Sequence, residues 1–353
     1  MRMERIEAFL NSQNNEYDAY LILSEVNRFY FMGYESTAGY LLLSKFGCYF
    51  LTDPRYSEEA QASVKGVTVV SVEGGKTFAE ATKEVIVRLG ITCLGYEDAT
   101  VLYSEYKMLE GLGMPLRPAS RLINAQRMIK TEEEIGFIAR ACKIGDAALK
   151  ELMRRIKPGI TERELAVELE YLMNINGGEG RSFATISAFG ANTSRPHAHP
   201  SDKKLVKGDV VTLDFGCKYR GYCSDMTRTF AVGSISNEMR HIYNIVLEAQ
   251  KYAMSAIKPG MTGREADSFA REYIISRGYD IPHSVGHGLG VEVHEEPYVS
   301  MKSDTILQKN MVISCEPGIY VAGLGGVRIE DLTVVREDGL QALTSSPKEL
   351  IIL

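Results

Sequence analysis

The sequence predicts two domains: an α/β layer domain over residues 1–125, then an α+β domain over residues 126–353 built from an internal duplication about a pseudo-twofold axis. Three observations carry this. A chain of 353 residues is long enough for two cores. Its first 124 residues alternate short strand and helix patterns. Beyond them, one pattern is used twice.

In the first domain, Tyr17–Ser24, Tyr40–Ser44, Cys48–Thr52 and Val67–Val72 read as strands. Helical spacing appears near 1–12, 77–89 and 104–112. This half holds no histidine, since all six lie beyond residue 196, and it shows no chemical constellation. Arg121–Lys130 leads to the boundary at about 125–130. Thr131 and Glu134 then form a capping box ahead of Ile135, Ile138, Cys142 and Ala148 at helical spacing.

In the second domain, Ile156-Lys157-Pro158-Gly159-Ile160-Thr161 returns as Ile257-Lys258-Pro259-Gly260-Met261-Thr262, an offset of 101. Arg163-Glu164 returns as Arg264-Glu265. Lys207–Asp214 returns as Lys309–Glu316, an offset of 102. Each copy ends a helix at Pro-Gly, caps the next with Thr, and continues into strands. Equivalent strand ends would meet near the axis.

Composition narrows the function. Apolar residues at 45% and charged residues at 24% are an ordinary globular balance and exclude disorder, collagen and coiled coil. No run of 18 apolar residues occurs, so no bilayer span is expected. Lys+Arg of 40 against Asp+Glu of 46 gives a net charge of −6, which argues against a nucleic-acid partner. The six cysteines form no Cys-x-x-Cys pair and no zinc-finger spacing, so free thiols among apolar neighbours are expected. Met1–Glu7 reads as an amphipathic helix rather than a signal peptide, and a cytoplasmic location is the expectation.

The duplication places acids at matching positions. Asp214 ends the strand pattern Val210–Phe215, and Glu316 ends Met311–Glu316. A second acid follows each, Asp225 and Glu330. Alternation puts Val211, Leu213 and Phe215 on one face and Thr212 and Asp214 on the other; Val312, Ser314 and Glu316 share a face in the second copy. Four converging carboxylates must protonate or bind cations. His287, between glycines in Gly286-His287-Gly288-Leu289-Gly290, supplies an imidazole. Oxygen-rich ligation with one imidazole suits Mn²⁺ or Co²⁺. The set can hold two ions about 3.5–4 Å apart. His294 and His197, 97 residues apart, are not needed as ligands and could donate to a substrate carbonyl.

Taken singly, an acid at a strand end is a turn residue and a lone histidine is structural; the conjunction gives the set its meaning. The stretch Gly323–Gly326 reads equally well as a hairpin loop. Gly74-Gly75-Lys76-Thr77 imitates a P-loop, but Val70 stands where its first glycine belongs. Val291 likewise spoils a dinucleotide fingerprint at Gly286, and no Gly-x-Ser-x-Gly elbow occurs.

Leu213–Gly216, Tyr222–Thr229, Gly286–Gly290, Val293–Glu295, Glu316–Gly318 and Gly326–Asp331 together resemble the Xaa-Pro peptidases, prolidase and aminopeptidase P, of the pita-bread metallopeptidases. The resemblance runs the length of the chain and implies a creatinase-type N-terminal domain and a pita-bread catalytic domain. It implies two divalent metal ions per chain, Mn²⁺ first and Co²⁺ or Zn²⁺ after it. Asp214 would chelate one ion, Asp225 and Glu330 would bridge, and His287 and Glu316 would complete the set. It assigns His197 and His294 to the substrate, Arg328 to a place behind the ligands and Tyr320 to the substrate's vicinity. It also implies a homodimer in which the partner's N-terminal domain borders the site.

The expected reaction is hydrolysis of the Xaa-Pro bond, at the N-terminus of peptides or in dipeptides. A hydroxide bridging the ions would attack the carbonyl before proline, with Glu316 as general base and His294 donating to the oxyanion. Some prolidases carry an arginine soon after the His-Glu motif; His294-Glu295-Glu296-Pro297-Tyr298-Val299 has none. That weighs against a strict dipeptidase and leaves both substrates open. The alternatives are a methionine-aminopeptidase-like exopeptidase, a metal-free creatinase-type C–N hydrolase, and a non-catalytic pita-bread binding module. The long N-terminal domain and the histidine contexts oppose the first, and the intact donor set opposes the other two.

Overall fold

The computed structural model describes residues 2–12 and 17–353. It divides into two compact units, Met1–Gln126 and Arg127–Leu353.

The first unit is one mixed sheet with helices. Its elements are α1 (Arg2–Asn11), β1 (Ala19–Ile22), α2 (Glu25–Met32), β2 (Tyr40–Ser44), β3 (Tyr49–Thr52), α3 (Pro54–Ser63), β4 (Thr68–Ser71), α4 (Phe78–Leu89), β5 (Leu94–Tyr96), α5 (Tyr103–Glu110), β6 (Leu116–Pro118) and α6 (Ser120–Met128). The sheet order is β4-β3-β2-β1-β5-β6. Leu21, Leu42, Leu51 and Leu94 share a core with Val85 and Ile86 of α4. The P-loop imitation is the start of α4: Thr77 and Glu80 close a capping box there. The short helices α2 and α3 lie outside the helical spacing read in the sequence. Each starts at a cap, with Ser24 accepting from Asn27 N and Asp53 from Arg55 N.

The second unit repeats itself. Its first lobe holds α7 (Glu132–Leu152), α8 (Glu162–Ile175), β7 (Ile186–Phe189), β8 (Val210–Phe215), β9 (Lys218–Tyr219), β10 (Tyr222–Cys223) and β11 (Met226–Ala231). The second lobe holds α9 (Asn237–Ala256), α10 (Gly263–Ile275), β12 (Gly286–Gly288), β13 (Glu295–Val299), β14 (Val312–Cys315), β15 (Gly318–Val321), β16 (Gly325–Arg328), β17 (Asp331–Arg336) and β18 (Gly339–Ala342). The sheets run β11-β8-β7 and β13-β12-β14-β17-β18.

The duplication reaches into bonding detail. Thr161 with Glu164 caps α8, and Thr262 with Glu265 caps α10. Gly159 N donates to Leu205 O, and Gly260 N to Leu307 O, both at 2.8 Å. Arg163 pairs with Asp202 as Arg264 pairs with Asp304. Val211, Leu213 and Phe215 pack with Ile144, Leu165 and Leu169, as the alternation predicts. Ile313 and Cys315 enter the other lobe's core. The acids on β8 and after β14 are thereby turned away from both cores.

The lobes join where β11 meets the turn between β16 and β17. Glu330 N donates to Thr227 O at 3.1 Å, and the Thr229 hydroxyl bonds both backbone groups of Arg328. The Gly323–Gly326 stretch closes the β15–β16 hairpin, as its simpler reading had it. All six cysteines are free thiols. Among the described residues, no helix is long and apolar enough to cross a membrane.

Candidate metal centre

Strand ends from both lobes deliver the five predicted donors to one cavity of about 420 Å³. Asp214 comes from β8, Asp225 from the bend between β10 and β11, and His287 from β12. Glu316 follows β14 and Glu330 sits between β16 and β17. Donor atoms of Asp225, His287 and Glu330 all lie within 4.8 Å of one another. His287 Nε2 is 3.2 Å from Glu316 Oε1 and 3.6 Å from Asp225 Oδ2.

Hydrogen bonds aim these groups. Ser314 Oγ accepts from His287 N at 3.0 Å and donates to Glu316 Oε1 at 3.1 Å. Thr227 Oγ1 donates to Glu330 Oε2 at 2.8 Å and accepts from Arg328 Nε at 3.0 Å. Four of the five Arg328 N–H donors are used: beside Nε, Nη2 reaches Asp214 Oδ2, and Nη1 donates to Tyr320 Oη at 2.8 Å and Pro196 O at 3.2 Å.

Three buried carboxylate oxygens have no hydrogen-bond partner: Asp214 Oδ1, Asp225 Oδ1 and Glu330 Oε1. Buried polar atoms are almost always paired, so three orphans facing one cavity are a cation-shaped demand. The charges say the same. Burial and then repulsion by Glu330 push the Asp225 carboxyl well up. Burial and then Glu316 do the same to Glu330. Burial also acts against the charges on the neighbouring pair, yet their mutual hydrogen bond wins: Glu316 falls to about 2 and His287 rises to about 9. A hard or borderline divalent ion removes this conflict by replacing protons. The residues fit the metal ions that the sequence implies.

This has a measurable consequence. As pH rises, the folded metal-free chain keeps protons on Asp225, Glu330 and His287 that an unfolded chain has released. Fewer protons bound in the unfolded state means stability falls with pH; the lowered His283 and His294 values oppose this below about 6.5, so the fall runs from there through the His287 value of about 9. Glu316, ionised in both states above about pH 5, adds no slope there. The melting temperature of chelator-treated protein is therefore expected to decline from about pH 6.5 to pH 9, and saturating Mn²⁺ to remove most of the decline. Equal slopes with and without Mn²⁺ would refute this account of the cluster.

His197, beyond the 3₁₀ turn Gly190–Ser194, and His294, just before β13, also line the cavity. The His287 and His294 rings meet edge to face at 4.3 Å between centroids. Burial, then the His287 charge, lowers the His294 pKa and keeps this imidazole neutral at pH 7. Tyr320, on β15, lies outside the cavity lining and reaches the site through its hydroxyl, which bonds Arg328 and His283 Nε2. Sequence reasoning missed His283, His199, Tyr298 and Phe183, all of which line the cavity. The spacing His283-Ser284-Val285-Gly286-His287 was a usable signal for the first, and Tyr298 stands opposite His287 in the β12–β13 register. Nothing in the local pattern points to Phe183.

Comparison with known proteins agrees with this geometry. Residues 136–337 match metallopeptidase family M24, and residues 2–129 match the creatinase/prolidase N-terminal domain. An Xaa-Pro dipeptidase from Pyrococcus furiosus is 39% identical over 99% of both chains. The solved structure of an Xaa-Pro dipeptidase from Bacillus anthracis superposes with a TM-score of 0.96 at 42% identity, covering 100% of each chain. That of an X-Pro aminopeptidase from Thermotoga maritima gives 0.92 at 36% identity, covering 99% of this chain and 100% of the other. With a creatinase-type domain ahead of a duplicated pita-bread domain, the chain belongs to metallopeptidase family M24.

Proposed function

We propose that the protein hydrolyses the bond that joins a first residue to proline, in Xaa-Pro dipeptides or at the N-terminus of longer peptides. Two divalent cations, manganese by preference, would be held by Asp214, Asp225, His287, Glu316 and Glu330. The observation that carries the reading is the set of three buried, unpaired carboxylate oxygens on residues that line one cavity together with His197 and His294. The names of the dipeptidase relatives support the Xaa-Pro bond, and that of the Thermotoga maritima enzyme supports longer substrates.

When bound, such cations acidify a water and polarise a peptide carbonyl. Glu316, held by Ser314, would accept a proton from the attacking water and return it to the leaving prolyl nitrogen. Neutral His294 donates to the oxygen that gains charge, and His197 steadies the substrate carbonyl. Burial raises the Asp214 pKa, and Arg328 opposes that rise and holds the carboxyl in place, while Tyr320 locks the Arg328 guanidinium. An Xaa-Pro bond has no N–H, so its recognition rests on the shape of the cavity wall.

A Mn²⁺-supplemented assay with Ala-Pro, Ala-Pro-Ala and Met-Ala tests this. Cleavage of both proline peptides marks an aminopeptidase, and of Ala-Pro alone a dipeptidase. Preference for Met-Ala, or cleavage of none, overturns the proposal. His294→Ala is expected to lower kcat about 10²–10³-fold while metal content, measured by atomic emission, stays at the wild-type value. Metal loss in that variant would make His294 a ligand instead.

A further inference from the structure

Two loops on the cavity wall are gripped from behind by buried carboxylates. In the first lobe, Glu162 is only 1% exposed, although it opens α8. Its Oε1 accepts from Phe189 N at 2.7 Å and from Asn192 Nδ2 at 2.9 Å. Its Oε2 accepts from Ser201 N at 3.0 Å and from Ser201 Oγ. Between the anchors at Asn192 and Ser201 runs the segment that presents His197 and His199 to the cavity. In the second lobe Asp267, fully buried on α10, accepts from Val285 N at 3.1 Å and from Arg271 Nη2 at 2.9 Å. Arg271 in turn donates to Ile281 O and His283 O, at 2.8 and 2.7 Å. Each lobe thus ties a histidine-bearing loop to its second helix.

The duplication supplies an internal control. At the repeat offset Glu162 corresponds to Gly263, and Ala166 to Asp267. The carboxylate has moved one turn along the same helix face. Gly263 could not carry it: a Cβ there would lie 2.2 Å from Tyr298 O. The lobes therefore reach the same arrangement from different positions, which inheritance of a helix-start residue does not explain. Capping does not explain it either, because Thr161 with Glu164 and Thr262 with Glu265 already serve the two helix starts.

We propose that Glu162 is a positioning residue: through Phe189, Asn192 and Ser201 it fixes the loop that holds His197 and His199 at the cavity. Four donors on two oxygens require a carboxylate. Glutamine would turn its NH₂ toward one pair of donors. The Ser201 hydroxyl can rotate to accept, but a backbone N–H cannot. The kinetic half of this inference rests on the Xaa-Pro peptidase reading; the structural half does not.

Glu162→Gln is therefore read in two ways on the full chain. Hydrogen exchange, with and without Mn²⁺, is expected to speed up at least tenfold at whichever amide loses its acceptor, Phe189 or Ser201, and to stay unchanged at Val285. In Mn²⁺-loaded protein, kcat/KM for the preferred proline peptide is expected to fall 10–100-fold, at wild-type metal content. The same substitution in a His197→Ala background is expected to cost less than threefold more, because its effect travels through that histidine. Equal losses in both backgrounds, loss of metal, or unchanged exchange at Phe189 and Ser201 would each overturn the proposal. Should Glu162→Gln fail to fold, Asn192→Ala and Ser201→Ala, each removing one partner, are expected to show the same non-additive pattern with His197→Ala. Full activity or additive losses in both would overturn it. If the wild type cleaves no proline peptide, exchange alone decides: loss of protection confined to the loop supports Glu162 even as the peptidase reading fails.

Discussion

Alanine at Asp225 or at Glu316 is expected to lower turnover about 10³-fold or more, with metal content falling alongside. A general base alone contributes about 10²–10⁴-fold; Glu316 is proposed as both base and ligand, and Asp225 as a ligand. Asp225 belongs to the tightest donor cluster, and Glu316 pairs with His287 at 3.2 Å. The two variants should differ in one respect. Asp225→Ala removes a carboxyl whose pKa burial and then Glu330 push well up, so it takes away a group that is costly to bury and should leave the chelator-treated protein no less stable. Glu316→Ala strips His287 of its counter-charge and should lower the melting temperature of the chelator-treated protein. Full activity in a variant depleted of metal would end the metallopeptidase reading of this site.

Arg228→Met is expected to cost about 3–5 kcal/mol of stability, the scale for removing one partner from a buried ionic network. Arg228 is buried on β11, donates to Asp331 Oδ1 at 2.7 Å, and binds the carbonyls of Thr227, Glu330, Ser346 and Pro347. Asp331 also receives Gln250, Thr344 and Lys348. Burial acts to raise its pKa, but the Arg228 and Lys348 charges hold it below the ordinary range. The network stitches both lobes to the C-terminal segment. A urea titration checks the figure, with the midpoint falling and the slope unchanged. Arg155→Met is the control. Arg155 pairs with Glu151 and Glu168 at the surface, where such pairs are worth less than about 1 kcal/mol. A loss equal to that control would show that the buried network contributes no more than a surface pair.

Where neighbours in sequence determined the outcome, the sequence was legible. β8 runs from Val210 to Phe215 as its alternation predicts, and Tyr40–Ser44 is a strand with the expected bounds. The ligand set was readable because the duplication aligned Asp214 with Glu316 and each had an acid downstream. Features set by distant partners were not readable. Helix α2 buries Asn27 and Arg28, which looks wrong for a core helix until Glu97, 70 positions from Asn27, is seen to accept from it. The spacing of His283 to His287 hints at the first residue but not at what holds it: Arg271 bonds its carbonyl and Tyr320 its ring. The two partners of the Tyr320 hydroxyl, Arg328 and His283, could not be read from its neighbours in sequence.

The seam between the lobes carries a historical implication. Asp214 and Glu316 are the same position in two copies of one ancestral unit, and neither copy alone encloses the cavity. A one-lobe ancestor would have owned half a cage, so it needed a twin to close it. Joined in one chain, the halves need not stay identical, and the gripping carboxylates stand at non-equivalent positions, Glu162 in one and Asp267 in the other.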